Sequence, residues 1–324
     1  MSEVASLKGG VYLAAHLEPF AAWLADDSVT EILVNRPGEV WLEASGIAGM
    51  QRHDAPHIDD RLIERLAQQV ARTSHQGINR ERPILAATLP DGARIQFVAP
   101  PATRQHWAMA IRRHRMVDVP IAAYDHGALQ PQAVPQWRSA DPDGDPIAFL
   151  RGAVAERATI LISGGTSSGK TTFLNALLRE VPGGERIVLV EDTPEIRLAH
   201  DNAIGLVAVK GEMGEAKLST DDLMQASLRM RPDRIVLGEL RGAEAVSFLR
   251  AINTGHPGSF STIHANDPAG ALEQLALMVM QAGLGLSRGE TIAYAKSVID
   301  IVVQLERRDG ERRIAAIMVN DAGL

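Results

Sequence analysis

The chain carries Gly164-Gly165-Thr166-Ser167-Ser168-Gly169-Lys170-Thr171-Thr172, a stretch that fits the pattern G-x-x-x-x-G-K-[ST] at every defined position. It stands between an apolar run at residues 159–163 and a segment at 170–181 whose apolar residues recur at helical spacing. In such a strand–loop–helix setting the glycines let the backbone curl, so that successive N–H groups face the oxygens of a phosphate. The positive end of the following helix adds to the attraction. All nine residues are therefore predicted to bind the phosphates of a nucleotide; the alternative is a glycine-rich structural turn.

Two residues of this loop have predicted roles of their own. Lys170 is expected to reach the β- and γ-phosphates, and the hydroxyl of Thr171 is expected to ligate Mg²⁺. The sequence thus predicts a nucleoside triphosphate with Mg²⁺ as the ligand.

Beyond the loop, strand and helix patterns alternate. Strands are predicted at 187–190, 234–237 and 259–263, and segments with helical spacing separate them. Ser219 and Asp222, three residues apart, predict a capping box at the start of one of these helices. This alternation is typical of an α/β fold in which helices cover both faces of a mainly parallel sheet.

Acidic residues follow two of the predicted strands. Glu191 and Glu195 bracket the segment EDTPE after the first of these strands, and Glu239 ends the strand 234–237. The carboxyl ends of parallel strands face the ligand crevice, so these carboxylates are expected near the phosphates. There they can hold Mg²⁺ through water, or take a proton from an attacking water. Glu239 is favoured for polarising that water or ordering the magnesium shell, but the sequence leaves the division of roles open, and any one of the three can instead be structural.

A histidine ends the strand predicted at 259–263. His264 is a candidate to sense the γ-phosphate through one ring nitrogen, while the spacing alone equally allows a structural histidine. His256 stands in a Gly-His-Pro-Gly turn and is predicted to be structural.

The first third of the chain predicts a different architecture. Strand patterns and one helical pattern occur at residues 29–34, 39–43, 59–72, 84–89, 94–98 and 107–111. This arrangement is typical of an α+β domain with a largely antiparallel sheet. Prolines and glycines break the pattern between about residues 120 and 146, which we interpret as a linker stiffened by proline. We therefore predict an amino-terminal domain over 1–133, which includes the start of the linker, and a nucleotide-binding domain over 134–324.

Composition excludes several classes of protein. The chain has no cysteine, which rules out disulfides, cysteine-ligated zinc and thiol catalysis. Its 33 basic and 40 acidic side chains give a net charge of −7, which does not favour a protein that coats nucleic acid. No uncharged apolar run approaches the roughly 20 residues that span a bilayer, and the amino terminus lacks the pattern of a signal peptide. We expect a cytoplasmic protein.

Four segments in this order resemble the secretion ATPase superfamily, most closely the hexameric traffic ATPase of type IV secretion systems. They are GGTSSGKTT at 164–172, EDTPE at 191–195, LRMRPDRIVLGELRG at 228–242 and TGHPGSFSTIHAN at 254–266. VTEILVNRPGEVW at 29–41 is similar to the opening hairpin of the same family. The resemblance implies a RecA-like P-loop NTPase domain with a mainly parallel sheet, preceded by the smaller α+β domain.

The resemblance also implies roles for individual residues. Glu191 and Glu195 would belong to the Asp box, Glu239 to the Walker B region, and His264 to the His box near the γ-phosphate. Arginines of the amino-terminal domain approach the phosphates in this family. That role would fall on Arg94, Arg112 or Arg113; the alternative is that they are solvated arginines on the polar face of a hairpin.

Cofactors, partners and location follow from the same resemblance. The family forms a ring of six subunits with nucleotide between the two domains, which implies a homohexamer that uses ATP and Mg²⁺. Other inner-membrane and cytoplasmic ATPase components of the secretion machinery are the expected partners. No sequence-specific nucleic acid is expected, and the protein would be cytoplasmic and peripheral at the inner membrane.

The predicted function is an ATP-hydrolysing motor that powers assembly and substrate translocation, of protein or DNA–protein, in a bacterial type IV secretion or conjugation system. The alternatives are a RecA-like ATPase stimulated by nucleic acid, a pilus-retraction ATPase, and a docking scaffold gated by nucleotide. The cluster of arginines between 112 and 115 is the local support for contact with nucleic acid or with anionic lipid. Type II secretion and pilus-extension relatives carry a tetracysteine zinc subdomain, which this chain cannot build.

Overall fold

The computed structural model describes residues 11–113, 120–125, 127, 133–209 and 216–320. A six-stranded sheet is built from residues before 113, and a seven-stranded sheet is built from residues after 159. The predicted fold class, an α+β part followed by a mainly parallel α/β part, is confirmed. His114 and Arg115, the end of the predicted basic cluster, lie outside the described residues, as does part of the predicted linker.

The amino-terminal sheet is antiparallel at every strand pair. Its strands are β1 (Val29–Val34), β2 (Gly38–Ala44), β3 (Gln51–Ala55), β4 (Ile84–Thr88), β5 (Arg94–Val98) and β6 (Ala108–Arg112). They lie side by side in the order β3-β2-β1-β6-β5-β4. The helices of this part are α1 (Val11–Leu17), α2 (Ala21–Ala25) and α3 (Asp60–Thr73).

Helix α3 shows why this part of the chain folds as predicted. Asp59 caps the helix by accepting a hydrogen bond from the backbone N–H of Leu62 at 2.7 Å. Ile63, Leu66 and Val70 recur at helical spacing and are buried in the same core as the inner faces of β1 and β5. The apolar stripe of the helix therefore covers one face of the sheet.

The carboxyl-terminal sheet carries the phosphate loop. Its strands are β7 (Ile160–Gly164), β8 (Ile187–Glu191), β9 (Ala203–Val207), β10 (Arg234–Leu237), β11 (Phe260–Ile263), β12 (Ile301–Arg308) and β13 (Glu311–Val319). The accompanying helices are α4 (Pro146–Ala155), α5 (Lys170–Arg179), α6 (Thr220–Ser227), α7 (Glu244–Asn253), α8 (Pro268–Gln281) and α9 (Arg288–Val298). All strand pairs are parallel except the hairpin β12–β13.

The order of the strands determines which segments lie next to the phosphate loop. They lie as β13-β12-β7-β11-β10-β8-β9, so the loop strand β7 has β11, β10 and β8 on one side and the hairpin β12–β13 on the other. The segments that carry Glu191, Glu239 and His264 all follow strands on the first side. Because these strands are parallel, their carboxyl ends meet at the same edge of the sheet.

The two parts of the chain pack against each other along strand β9. The backbone N–H of Val207 donates to the carbonyl of Ala102 at 2.8 Å, and Thr103 forms an antiparallel bridge with Leu206. One apolar cluster includes Leu33 and Trp41 from the first part together with residues of the second part. Ala102 and Thr103 thus cover the edge of the large sheet at Leu206 and Val207.

Several elements were not predicted from the sequence, namely α1, α2, β3, α4, β9, α8, α9 and the hairpin β12–β13. The capping box at Ser219 and Asp222 was predicted and is present with both of its hydrogen bonds. Within the predicted linker, Trp137 is buried against Phe149 of α4 with the two rings 5.8 Å apart. In the described part of the chain, no helix combines the length and the apolar character needed to cross a bilayer.

Candidate nucleotide-binding site

The phosphate loop connects the buried strand β7 to the first turn of α5. A Cβ atom at Gly164 would collide with the hydroxyl of Ser168 and would lie 2.8 Å from the carbonyl oxygen of Leu305, so only glycine fits there. Gly169 has a φ of +93°, a left-handed conformation that favours glycine, and α5 begins at the next residue. These two positions explain why the sequence needs glycine on both sides of the turn.

A pocket of about 520 Å³ opens in front of this loop. It lies within the size range of sites for small molecules. Its walls include Lys170, Thr171, Glu195, Glu239 and His264, each of them predicted as a site residue. We call this cavity the loop pocket.

Lys170 lies across the opening of the loop. Its Nζ donates to the carbonyl oxygens of Gly164 at 2.8 Å and Gly165 at 3.2 Å, and it lies 3.4 Å from both ring nitrogens of His264. Burial lowers the pKa of the Lys170 ammonium group from its usual value. The charge therefore stands where phosphate oxygens held by the loop could accept hydrogen bonds from it.

Glu239 is the acid at the centre of the pocket. Its Oε1 lies 2.9 Å from Nε2 of His264, and its Oε2 accepts a hydrogen bond from Nε of Arg241 at 2.6 Å. The structure thus brings Lys170, His264 and Glu239 into one continuous group. The sequence placed these three residues on different strands and loops; it did not predict the participation of Arg241.

Glu191 has a different environment from Glu239. It is 3% exposed, and its Oε1 accepts hydrogen bonds from the backbone N–H groups of Glu195 at 3.0 Å and Ile196 at 2.8 Å. Its Oε2 forms an ion pair with Arg104 of the amino-terminal part. Both oxygens are therefore engaged in holding the segment after β8, whereas the side chain of Glu195 is exposed at the pocket.

The packing of Glu191 also explains why the residue before Glu239, Gly238, is a glycine. Many P-loop proteins have an aspartate where this chain has Gly238. A Cβ at Gly238 would lie 3.3 Å from Cγ of Glu191, a contact tighter than most side chains tolerate. An aspartate at 238 would therefore compete with Glu191 for the same space.

Oxygen ligands suited to Mg²⁺ line the loop pocket. The hydroxyl of Thr171 and the carboxylates of Asp192 and Glu239 face the same cavity. Hard oxygen donors of this kind are the ligands that Mg²⁺ prefers, usually with several waters and phosphate oxygens completing its shell. Asp192 is held in place by the hydroxyl of Thr220, which donates to its Oδ1 at 2.5 Å.

The three arginines predicted to approach the phosphates do not line the loop pocket of their own chain. Arg94 and Arg112 line a second cavity of about 420 Å³, between the amino-terminal sheet and residues 228–231. Arg113 instead donates to backbone carbonyl groups, among them that of Val29 at 3.0 Å. Their predicted role in catalysis stays a prediction.

Glu31 lies beside Arg112 in this second cavity. Nε of Arg112 is 3.4 Å from Oε1 of Glu31. Burial raises the pKa of Glu31 to about 7, against the opposing effect of the Arg112 charge. The charged form of Glu31 is therefore disfavoured in the folded protein.

Three arginines at the candidate site were missed by the sequence reasoning. Arg104 contacts Glu191, Arg241 contacts Glu239, and Arg312 of the hairpin β12–β13 lines the loop pocket. Arg241 had a local signal, because it stands two residues after Glu239 in the quoted motif. Arg104 and Arg312 had none, because each reaches the site through a contact between distant parts of the chain.

His256 is held in its turn and does not line the pocket. Its Nδ1 lies 3.0 Å from the carbonyl oxygen of Pro232, and burial lowers the pKa of the ring. This is the environment expected of a structural histidine, as the sequence indicated.

Comparisons with known proteins cover nearly the whole chain. A profile of the family described as "Type II/IV secretion system protein" matches residues 14–311. The chain is 40% identical over 322 aligned positions to the type IV secretion system protein PtlH homolog of Bordetella bronchiseptica, covering 94% of each protein. It is 36% identical to the type IV secretion system protein VirB11 of Bartonella quintana, over 93% of this chain and 91% of that protein.

A solved structure resembles the chain over the same extent. The crystal structure of the VirB11 ATPase from the Brucella suis type IV secretion system, in complex with sulphate, superposes with a TM-score of 0.88. The two sequences are 33% identical, and the match covers 96% of this chain and 98% of that one. The similarity therefore includes both sheets.

Proposed function

Because the chain belongs to the family of type II/IV secretion system proteins, we propose that it is the ATP-hydrolysing motor of a bacterial type IV secretion or conjugation system. The family resemblance inferred from its four motifs is confirmed. The protein hydrolyses ATP to ADP and phosphate, and this reaction powers assembly of the machinery and translocation of its substrates.

One observation carries the chemistry of this proposal. Lys170, His264 and Glu239 meet at the mouth of the phosphate loop, with Nζ of Lys170 3.4 Å from the ring of His264 and Nε2 of His264 2.9 Å from Glu239. This arrangement supports Lys170 as the cation for the β- and γ-phosphates, Glu239 as the acid that acts on the water, and His264 as the group that contacts both. Hydrolysis by P-loop enzymes depends on such positioning and on electrostatic stabilisation.

The proposed roles follow from what each side chain touches. Lys170 binds β- and γ-phosphate oxygens through its ammonium group. Glu239 orients the attacking water in line with the γ-phosphorus, and Arg241 fixes the direction of this carboxylate. His264 contacts both Lys170 and Glu239, so loss of the γ-phosphate changes its surroundings.

Mg²⁺ is part of the proposed ligand. When bound, it would neutralise charge on the β- and γ-phosphates. Thr171 would ligate it directly, and Asp192 and Glu239 would order the water in its shell. Glu195, exposed at the same pocket, is a further candidate for that shell.

Glu191 is proposed as a positioning residue. Its two oxygens hold the backbone of residues 195–196 and the guanidinium of Arg104. Since Arg104 comes from the amino-terminal part, this ion pair links the position of that part to the acidic segment of the site. Movement between the two parts could therefore be coupled to the state of the nucleotide.

The assembly is proposed to be a homohexamer. Arg94 and Arg112 face a cavity away from the loop pocket of their own chain, and Arg112 is largely exposed. In a ring, such residues are available to the phosphates bound by a neighbouring subunit. Arg113 is tied to backbone carbonyl groups, so we assign it a structural role.

We further propose a domain boundary at 133/134 and a location at the cytoplasmic face of the inner membrane, as a peripheral protein. The partners would be the other inner-membrane and cytoplasmic ATPase components of the secretion machinery. No sequence-specific contact with nucleic acid is included, since the net charge of the chain is −7.

The proposal is tested by following phosphate release from Mg·ATP with and without single-stranded DNA. We expect turnover that DNA leaves unchanged. Absence of turnover in assembled protein would contradict the motor, and a tenfold stimulation by DNA would favour the nucleic-acid-dependent alternative.

A second measurement separates a motor from a scaffold that only binds nucleotide. Glu239→Gln should bind ATP, hydrolyse it poorly and fail to restore secretion in a strain that lacks the protein. Full secretion with this variant would show that binding of nucleotide, without its cleavage, is sufficient.

A further inference from the structure

A buried polar pair lies behind the phosphate loop. Ser163 of β7 directly precedes Gly164, and Gln304 is its register partner on the neighbouring strand β12. Both side chains are buried, at 0% and 6% exposure. Because side chains alternate between the two faces of a strand, the pair shares a face with Leu161 and Val302, which belong to the core that α8 covers. The pair therefore lies on the opposite face of the sheet from α5, which packs in the other core.

One polar atom of each side chain is unpaired. The Oγ of Ser163 and the Oε1 of Gln304 are buried and have no hydrogen-bond partner among the described residues. A buried polar group without a partner lowers the stability of a protein, and apolar side chains of similar shape would avoid this loss. Natural proteins keep such groups mainly where function requires them. The pair therefore indicates a purpose other than stability.

The amide nitrogen of Gln304 reaches across the loop strand. Its Nε2 donates to the carbonyl oxygens of Ala265 and Leu305, each at 3.3 Å. Ala265 follows β11, and β7 lies between β11 and β12 in the sheet. Since neighbouring strands lie about 4.8 Å apart, this side chain connects backbones that are two strand spacings from each other. The small side chain of Ser163, on the strand between them, leaves room for the crossing.

The backbone of the hairpin is irregular at this position. Gln304 pairs with Ala316, whereas Leu305 pairs with Ile314, so β13 has one additional residue here. Irregularities of this kind occur next to active sites, where they change the direction of a side chain. The carbonyl oxygen of Leu305 would also lie 2.8 Å from a Cβ at Gly164. The amide of Gln304 thus contacts the backbone beside the start of the phosphate loop as well as the end of β11.

The carbonyl held across the loop strand belongs to the residue after His264. The pairing of β11 with β7 ends one residue before His264, so the ladder does not extend to Ala265. The ring of His264 nevertheless lies 2.9 Å from Glu239 and 3.4 Å from Lys170. A contact that fixes the backbone at Ala265 therefore helps to set the position of this ring.

We propose that Gln304 is a positioning residue for hydrolysis. It fixes the backbone after His264 and thereby keeps the imidazole ring between Lys170 and Glu239. This inference rests on the proposed function, because it concerns the geometry of the same site. It assigns to the strand β12, which carries none of the predicted catalytic residues, a part in arranging them.

Gln304→Met tests this role, because methionine has a similar shape but cannot donate a hydrogen bond. We expect kcat to fall about tenfold, with the KM and the Kd for Mg·ATP within about threefold, since the loop and Lys170 are unchanged. The melting temperature should stay within about 2 °C of the original or rise, because the unpaired Oε1 is removed. Gln304→Leu, which also lacks the donor, should give the same kinetic result, so the test does not depend on the packing of one replacement.

The matched control is Thr291→Val in α9. Thr291 is fully buried, and its hydroxyl donates to the carbonyl oxygen of Ser287 at 2.9 Å. The control thus also removes a buried donor to a backbone carbonyl, but away from the site, so kcat should stay within about twofold. An equal fall in kcat for Thr291→Val and Gln304→Met would mean that any disturbance of the core is sufficient, and would overturn the proposal.

A double-mutant cycle with His264→Ala shows whether Gln304 acts through the ring. If it does, adding Gln304→Met to His264→Ala leaves kcat within about twofold of the His264→Ala value. A further tenfold loss in the double variant would indicate a separate role and would overturn the proposal.

The remaining outcomes separate this inference from the proposed function. If the unmodified protein hydrolyses ATP, an unchanged kcat in Gln304→Met and Gln304→Leu, or a loss that appears only in KM, would overturn the role of Gln304 alone. Absence of ATP hydrolysis by the unmodified protein would instead contradict the proposed function on which the inference rests.

Discussion

Arginines occur in two contrasting regions of this molecule. Between the two parts of the chain, Arg104, Arg186 and Arg231 bind protein groups from the opposite part, whereas Arg241 and Arg312 at the loop pocket are exposed. We call the first three the interdomain arginines and the last two the pocket arginines. Arginine therefore has two uses in this molecule. The interdomain arginines hold the two parts of the chain together, and the pocket arginines are exposed where a ligand can bind.

The interdomain arginines donate hydrogen bonds to protein groups on both sides of the contact, although Nη2 of Arg186 is buried without a partner among the described residues. Arg231 donates to Glu43 of β2 at 3.0 Å and to Asp233 at 2.7 Å. Arg186 is fully buried, donates to Asn35 and to the carbonyl of Met230, both at 2.8 Å, and burial lowers its pKa to about 9. A buried cation of this kind is tolerated only while its partners stay in place.

The pocket arginines are less constrained. Arg241 is bound to Glu239, but its side chain is 64% exposed, and Arg312 contacts only Thr172 among the hydrogen bonds found in the described residues. A change in this region should therefore alter kinetics with little effect on stability. A change between the parts should mainly lower stability, except at Arg104, whose partner Glu191 holds the acidic segment of the site. The predictions that follow test this division.

The largest effect is expected from Lys170→Ala at the loop pocket. Removing the ammonium group should reduce kcat/KM by about 10³-fold, because it leaves the β- and γ-phosphate charge without its cation. The melting temperature should stay within about 2 °C of the original, since Lys170 is not part of a core. Lys296→Ala, at an exposed position of α9, is the control and should be silent; turnover retained by Lys170→Ala would contradict the site.

Glu239→Gln is expected to have the next largest effect. Loss of the carboxylate should lower kcat about a hundredfold and leave KM within about threefold, because the amide keeps the shape but cannot orient or activate the water in the same way. Glu195→Gln, measured beside it by steady-state kinetics, should cost less than tenfold. A reversed order of the two variants would transfer the role to Glu195.

Arg186→Met tests whether an interdomain arginine contributes to the stability of the fold. Asn35 and Asn202 would lose the guanidinium to which both are bonded, so we expect the free energy of unfolding to fall by about 3 kcal/mol. Urea denaturation measures this loss. The same substitution at Arg65, exposed on α3, is the control, and equal stability of the two variants would refute a structural role for Arg186.

Arg104→Gln should lower both the catalytic rate and the stability modestly. Glu191 would lose its ion pair but keep its bonds to the backbone of residues 195–196, so we expect kcat to fall about tenfold at nearly unchanged KM. A double-mutant cycle with Glu191→Gln shows whether Arg104 changes kcat through its contact with Glu191. If Arg104 acts through Glu191, the double variant is no worse than Glu191→Gln alone; additive losses would indicate an independent role.

The smallest effect concerns pH and the second cavity. The pKa of Glu31 is raised to about 7 in the folded protein, so the folded state binds a proton more tightly than the unfolded chain does. The stability contributed by its protonated form is full below about pH 4.5 and is lost as the pH rises through 7. Glu31→Gln should therefore gain about 1 kcal/mol over the original protein at pH 8 and nothing at pH 4.5.

Thermal unfolding at the two pH values checks this prediction. Asp54→Asn, which removes an exposed carboxylate of β3, is the control and should show no such pH-dependent gain. An equal effect of Glu31→Gln at both pH values would mean that the ionisation of Glu31 is not the cause.

The sequence predicted the parts of the fold that depend on local pattern. β1, β5 and β10 were predicted with the observed ends, and the start of α5 at Lys170 and the cap of α6 at Ser219 were predicted as well. In each case, alternating or continuous apolar residues, or a motif with fixed spacing, carry the information within a few residues.

Elements defined by distant contacts were missed. β9 contains Gly205 and pairs with Ala102 and Thr103, about a hundred positions earlier in the chain. The hairpin β12–β13 carries charged residues on both sides of its turn, at 306–308 and 311–313, and these interrupt its strand pattern. The acids of the site were found because they follow strands, whereas Arg104 and Arg312 reach it through tertiary contacts that no local spacing encodes.

The covering of strand β9 by residues 102 and 103 affects how the protein behaves at high concentration. A sheet edge with free backbone amides recruits other chains and seeds aggregates, and here Ala102 and Thr103 occupy that position with their own backbone. Loosening the contact between the two parts would uncover the edge. Variants of the interdomain arginines should thus be recognised first by turbidity on mild heating, before any loss of helix or sheet can be detected.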